Sequence, residues 1–238
     1  MNGKAIIKFL VVIAAIIGLF AYFIQPLAGS LKQGLDLQGG THIVLEAEDS
    51  ATGQADNDAV ERAKQILERR INEMGLSEPL VQREGARRII IELPGVKDPD
   101  EAIKRIGKTA VLEFKNDQGQ TVMTGDDLKD AKEELGQNKQ PLVAIELSDE
   151  GAKKFADLTS KNIGRRIAIT LDGKELTNPV VQQAITGGKA TISGSQSLEE
   201  AKDLAILLRS GALPVKINVL EVRTVGPSLG QDSKDKSV

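Results

Sequence analysis

The glycines of Gly34-Leu35-Asp36-Leu37-Gln38-Gly39-Gly40-Thr41 stand one residue away from a phosphate-binding loop. Such a loop cradles an anion on backbone N–H groups, needs a lysine to reach the outer phosphates, and opens a helix. Here the lysine position holds Gly40, and the β-rich run His42–Glu48 follows instead of a helix. The heptapeptide Gly34–Gly40 is therefore read as structural, with Gly39-Gly40 supplying a tight turn or bulge at the entry to a sheet. The other chemistry-bearing types are equally spare. His42 is the single histidine, and there is no cysteine, so thiolate nucleophiles, zinc-finger spacings and disulfides are all unavailable. A hydrolytic triad would have to use His42, and no serine sits in a G-x-S-x-G elbow. The carboxylate pairs Asp56/Asp58, Asp98/Asp100 and Asp126/Asp127 fall at helix starts or in a loop, where capping and the helix dipole account for them. No catalytic, cofactor-binding or metal-ligating residue is assigned, and the chain reads as an interaction module and not an enzyme.

Composition agrees with that reading. With 31 Lys and Arg against 34 Asp and Glu the formal charge is -3, and aromatic residues make up 3%. A nucleic-acid partner is not expected, because phosphate contacts need a positive field and stacking needs aromatic platforms. The pairs Arg69-Arg70, Arg87-Arg88 and Arg165-Arg166 are expected on solvated faces. Absence of cysteine suits an extracytoplasmic bacterial domain.

The elements that position these residues begin with an apolar run. Phe9–Ile24 carries no charge, and extended to residues 5–25 it reaches the roughly 20 residues needed to cross hydrocarbon. Lys4 and Lys8 precede the run and Gln25–Leu31 carries no charge, so the N-terminus is expected in the cytoplasm and the rest of the chain outside. An uncleaved anchor is favoured over a signal peptide, since the run exceeds an ordinary h-region.

Beyond the anchor, His42–Glu48 reads as a strand. Val60, Ala63, Leu67, Ile71 and Met74 recur at helical spacing up to a stop at Gly75. Pro79–Arg83 and Arg88–Leu93 read as a hairpin. Asp98-Pro99-Asp100-Glu101 caps a helix ending at Gly107, and Val111–Lys115 is a strand. This order is βαββαβ, the ferredoxin-like unit. A similar order recurs in the strand Pro141–Leu147, a helix capped by Ser148, Arg165–Leu171 turning at Asp172-Gly173 into Lys174–Leu176, Lys189–Ser193, a helix opened by Ser197-Leu198-Glu199-Glu200, and Val215–Val222. Residues 119–140 are the least regular part and are expected as a loop or junction.

Six stretches in order resemble the SecD subunit of the bacterial Sec protein translocase. They are Gly34–Gly40, Arg69-Arg70-Ile71-Asn72 with Gly75, Ile91–Val96, Ala110–Phe114, Leu207–Pro214 and Thr224–Gly230. The resemblance implies an α+β fold: a transmembrane helix at 5–25, then two ferredoxin-like units. These would form an extracytoplasmic base of 31–116 and 189–225 and an inserted head of 117–188, with 226–238 leading towards a further membrane helix. The resemblance also implies an accessory, non-enzymatic role without a cofactor. The external domain would hold or guide emerging preprotein beside SecYEG, with SecF, lipid and the proton-motive force as partners in the membrane. The family's proton-conducting acids lie in later helices that this sequence does not include. Head motion is expected about residues 116–125 and Gly187-Gly188. The alternative from another class is an anchored extracytoplasmic hydrolase or small-ligand binder, marked by a polar pocket around His42.

Overall fold

The computed structural model describes residues 13, 35, 39–49, 53–76, 79–96 and 98–226. The expected membrane segment at 5–25, Gly34, Asp36, Leu37 and Gln38 of the heptapeptide, and the tail beyond Gly226 lie outside the described residues, apart from Ile13. Among the described residues no helix is long and apolar enough to cross a membrane.

The first strand, β1 (Gly40–Glu48), alternates inward Ile43, Leu45 and Ala47 with less buried neighbours. It leads to helix α1 (Asn57–Glu73), whose Asp56 cap accepts the Ala59 N–H at 2.7 Å. The buried stripe Val60, Ala63, Leu67 and Ile71 shows why the apolar spacing selects a helix here. The hairpin β2 (Leu80–Glu84) and β3 (Arg88–Pro94) follows, then α2 (Pro99–Ile106), capped by Asp98. The last strand of the chain, β11 (Lys216–Val225), completes this sheet in the order β11-β1-β3-β2, all antiparallel. Helices α1 and α2 close over one face, and Ile43, Leu67, Ile71, Ile89, Ile91, Ile106 and Val215 form its core.

The remaining elements form a second unit with a separate core. Strands β4 (Leu112–Lys115), β5 (Thr121–Thr124), β8 (Ala168–Leu171) and β9 (Lys174–Thr177) make a four-stranded sheet in the order β5-β4-β8-β9. Strands β6 (Leu128–Leu135), β7 (Pro141–Leu147) and β10 (Lys189–Ser193) make a three-stranded sheet in the order β10-β7-β6. Helices α3 (Asp149–Lys161) and α4 (Leu198–Ser210) pack on it, and Phe114, Val143, Ile145, Phe155, Ala205 and Leu208 are among its core residues. The Phe114 and Phe155 rings meet edge to face, 6.0 Å apart.

Several sequence expectations are corrected. Val111–Lys115 does not complete the first sheet; it pairs with β5 and β8, and β11 takes the place beside β1. The second stretch runs βαβββαβ, one strand more than the expected unit, and its strands go to three sheets, with β10 joining β7 and β11 leaving for the first unit. Residues 119–140 are not a loop, because β5, a 3-10 turn at Gly125–Asp127 and β6 lie there. In β6 only Ala131 is buried, so its charged sequence LKDAKEEL gives no alternating apolar signal. Asn116–Gln120 is a tight turn within the second unit, and Gly188 accepts the Leu147 N–H at 2.8 Å inside the same unit. The chain instead passes between the units at 107–111 and 211–213.

Candidate functional site

The sequence-derived candidates are scattered and structural in their contacts. Gly39 (φ +66°) donates its N–H to Leu35 O at 2.7 Å and accepts the Gly95 N–H at 3.0 Å, so the turn is seated on the end of β3. Gly40 has φ +148°, and a Cβ there would lie 2.7 Å from Leu35 Cδ2, 2.9 Å from Pro94 Cα and closer still to the Leu93 carbonyl oxygen. Only glycine fits such an approach without shifting β3. Thr41, wholly buried, donates its hydroxyl to Val96 O at 3.0 Å.

His42 sits on β1 with Nδ1 3.5 Å from Glu92 Oε1 and lines neither of the two cavities described below. The hydrolase alternative centred on it is not favoured. Asp56 and Asp98 cap their helices, and Asp127 accepts the Thr124 N–H at 3.1 Å and the Lys154 ammonium at 2.7 Å. Among the described residues, no three histidine or acidic side chains are grouped to hold a metal ion.

What the structure does assemble is an open groove of about 760 Å³ in the second unit. Residues of all three strands of the β10-β7-β6 sheet line it, including Ala131, Ala144, Ile145 and Ala190. The remaining lining comes from Phe155 and Thr159 of α3, Ile167 and Ile169, and the extended segment Pro179–Ile185. That segment is held by Thr159, whose hydroxyl oxygen accepts the Ile185 N–H at 2.9 Å, and by Val181 and Pro179, which pair with Gly164 and Ile167. The small side chains Ala131, Ala144 and Ala190 leave room that a larger residue would fill. Around these apolar residues the lining is mixed in charge: Asp130, Lys132, Glu134, Glu146 and Lys189. Two of its three carboxylates, Asp130 and Glu146, are held in ion pairs. Lys132, at 3.0 Å, holds Asp130 below the usual carboxylate range, and Lys129, at 2.5 Å, does the same for Glu146. A second recess, about 250 Å³, lies in the first unit beside Leu45, Ile103, Ile217 and Val219.

A groove of this kind can take apolar side chains of an extended chain. Sequence reasoning missed it because its residues come from six separate stretches with no shared spacing. It also missed Arg70, expected on a solvated face and in fact wholly buried. Its guanidinium donates from Nη1 to Ile106 O at 2.7 Å and to Lys108 O, from Nε to Ser210 Oγ at 3.0 Å, and from Nη2 to Gly211 O at 2.8 Å. Burial pushes its pKa down to about 10, opposed by the attraction of Asp172, so it is charged at neutral pH.

Comparison with known proteins bears on the same regions. Residues 103–215 match the family model "SecDF, P1 head subdomain", residues 60–119 match "Protein translocase subunit SecDF, P1 domain, N-terminal", and residues 31–51 match "SecD/SecF GG Motif". The protein translocase subunit SecD of Acidaminococcus fermentans is 58% identical over all of this chain and 57% of its own length. That of Desulfurispirillum indicum is 33% identical over all of this chain and 69% of its own length. The chain thus spans little more than half of the first of these relatives. A solved structure described as a membrane component SecDF that enhances protein export is 40% identical, with a TM-score of 0.69, over 76% of this chain and 99% of that one.

Proposed function

Because the chain belongs to the SecD/SecDF family of protein translocase subunits, we propose that its second unit is a head whose groove holds a polypeptide emerging from the translocation channel, and that its first unit is the base carrying it. The observation that carries this reading is the groove itself: apolar at Ala131, Ile145, Phe155 and Val181, with acidic and basic side chains around them, and open rather than enclosed. Exported chains differ in sequence, so a holder must read generic properties. Each aliphatic side chain buried contributes roughly 1.5–3 kcal/mol, and ordering a flexible peptide offsets much of it. Binding is then weak and reversible, which suits a subunit that must hold and release.

The base has the sheet order expected of a βαββαβ unit, and we assign it as ferredoxin-like, comprising 39–106 and 213–226, with the head at 108–211. Gly34–Gly40 would join a membrane anchor at 5–25, with a cytoplasmic N-terminus, to that base. Gly39 and Gly40 do so by packing on the end of β3. SecF, SecYEG, preprotein and lipid are the partners this reading carries, SecF being supported by family models shared between SecD and SecDF. A direct test fills the groove. Ala190→Phe in a complete translocase should slow export several-fold while leaving the assembled subunit at normal abundance; unchanged export would refute the assignment.

A further inference from the structure

Head and base have separate cores, so their mutual orientation is not set by a shared hydrophobic interior. The two chain crossings converge on one side chain. Arg70, near the end of α1 in the base, donates to Ile106 O and Lys108 O on the outgoing crossing and to Ser210 Oγ and Gly211 O on the return. The crossings are also bonded to each other, Leu213 N–H to Thr109 O at 2.8 Å. Asp172, in the β8–β9 turn of the head, takes the Ala110 and Val111 N–H groups at 3.1 and 2.9 Å. These bonds are local to the neck and move with it.

Two further arginines act at a distance from that point. Arg105 of α2 donates through Nε to Asp203 of α4 at 3.0 Å, with Nη2 on the same oxygen and Glu101 and Glu199 at 3.7 Å. Arg209 of α4 donates through Nε and Nη2 to Glu73 of α1 at 2.9 and 2.7 Å, and through Nη1 to Ala131 O at 2.6 Å. Helix α4 belongs to the head, because Ala201, Leu204, Ala205 and Leu208 lie in the head core. Both contacts are therefore ion pairs between head and base. They differ from Arg70 in kind. Arg70 is wholly buried and bonded chiefly to backbone carbonyls, whereas Arg105 and Arg209 have side chains 24% and 30% exposed and carboxylate partners that water can solvate in their place.

We propose that Arg70 is a fixed pivot in the neck, and that the Arg105–Asp203 and Arg209–Glu73 pairs are a releasable latch that sets the angle of the head on the base. Breaking the latch leaves the Arg70 bonds intact and lets the head turn about them. Arg209 also bonds the carbonyl of Ala131, a groove residue, so the latch reaches the groove wall directly. The inference does not depend on what the groove holds.

The chain has no native cysteine, so nitroxides at Gln82→Cys in the base and Asn138→Cys at the β6–β7 turn would be its only labels. In the full chain, pulsed electron-spin distance measurement should give one narrow distribution for the parent. Glu73→Gln with Asp203→Asn should at least double its width or add a second population. Asp157→Asn, which removes the exposed pair with Lys161 inside α3, should leave it unchanged. A parent-like width in the latch variant overturns the proposal, as does equal broadening in the Asp157 control. Amide exchange supplies the second readout. Protection of Ala110, Val111 and Leu213 N–H groups should persist in the latch variant, and its loss would overturn the pivot.

Discussion

Replacing Arg70 by Met removes the charged fork that binds both crossings and tests how far that single side chain stabilises the fold. Two effects oppose each other. The fall in its pKa from the ordinary guanidinium range to about 10 corresponds to roughly 3 kcal/mol of desolvation that an uncharged side chain would not suffer. Against this stand its hydrogen bonds to Ile106 O, Lys108 O, Gly211 O and Ser210 Oγ, each of roughly 1.5 kcal/mol or more for a charged donor. Ser210 keeps a partner, since its hydroxyl donates to Leu207 O at 3.0 Å. The Ile106 carbonyl, whose bond to Arg70 is fully buried, does not, and a dry acceptor costs about 1–3 kcal/mol more. The bonds win, and the expected net loss is about 4 kcal/mol, within the range for breaking a buried charged network. For a domain of this size that lowers Tm by roughly 8–16 °C. Arg70→Lys keeps the charge but cannot reach both crossings with one ammonium, and it should lose about half as much. Thermal and denaturant unfolding of the full chain measure both. A loss under about 1 kcal/mol for Arg70→Met would refute the reasoning, because the four bonds would then be worth no more than the desolvation they offset.

Gly40→Ala should destabilise the chain by about 2–3 kcal/mol, because it combines a strained positive φ with a clash against the Leu93 carbonyl; a denaturation midpoint unchanged from the parent would contradict this. Glu113 is held below its ordinary value of 4.5 chiefly by its hydrogen bond to Lys115, and also by Thr121 and Thr170. A depressed carboxyl stabilises the fold above its unfolded pKa and loses that contribution as pH falls through the folded one. The parent should therefore lose stability below about pH 4.5 more steeply than Glu113→Gln, and parallel acid limbs in Tm against pH would show that the pairing contributes nothing.

The elements whose signals are local were legible in the sequence. Helices α1 to α4 begin at Asp56, Asp98, Ser148 and Ser197, the residues whose side chains cap them, and the β2–β3 hairpin lies where its two short apolar runs placed it. Sheet membership was not legible, because pairing depends on partners far along the chain. Leu112–Lys115 has the pattern of a half-buried strand whichever sheet it joins, and nothing local shows that β11, more than a hundred residues on, takes the place beside β1. Strand β6 escaped notice because its single buried residue is Ala131. Arg70 escaped because an arginine on an amphipathic helix is ordinarily solvated, and its acceptors arrive from segments 36 and 140 residues away. Gly39 and Gly40, read as a turn because the phosphate-binding lysine is missing, pack against the end of β3.

The most direct test of the holding role is site-specific photo-crosslinking in a complete, membrane-embedded translocase carrying an arrested export substrate. A benzophenone side chain at Gln183, in the groove lining, is compared with one at Gln82, an exposed position of the base. The account predicts adducts to the exported chain from Gln183 several-fold above those from Gln82, and their loss when Ala190→Phe fills the groove. Equal adducts from the two positions, or Gln183 adducts that persist with the groove filled, would contradict it.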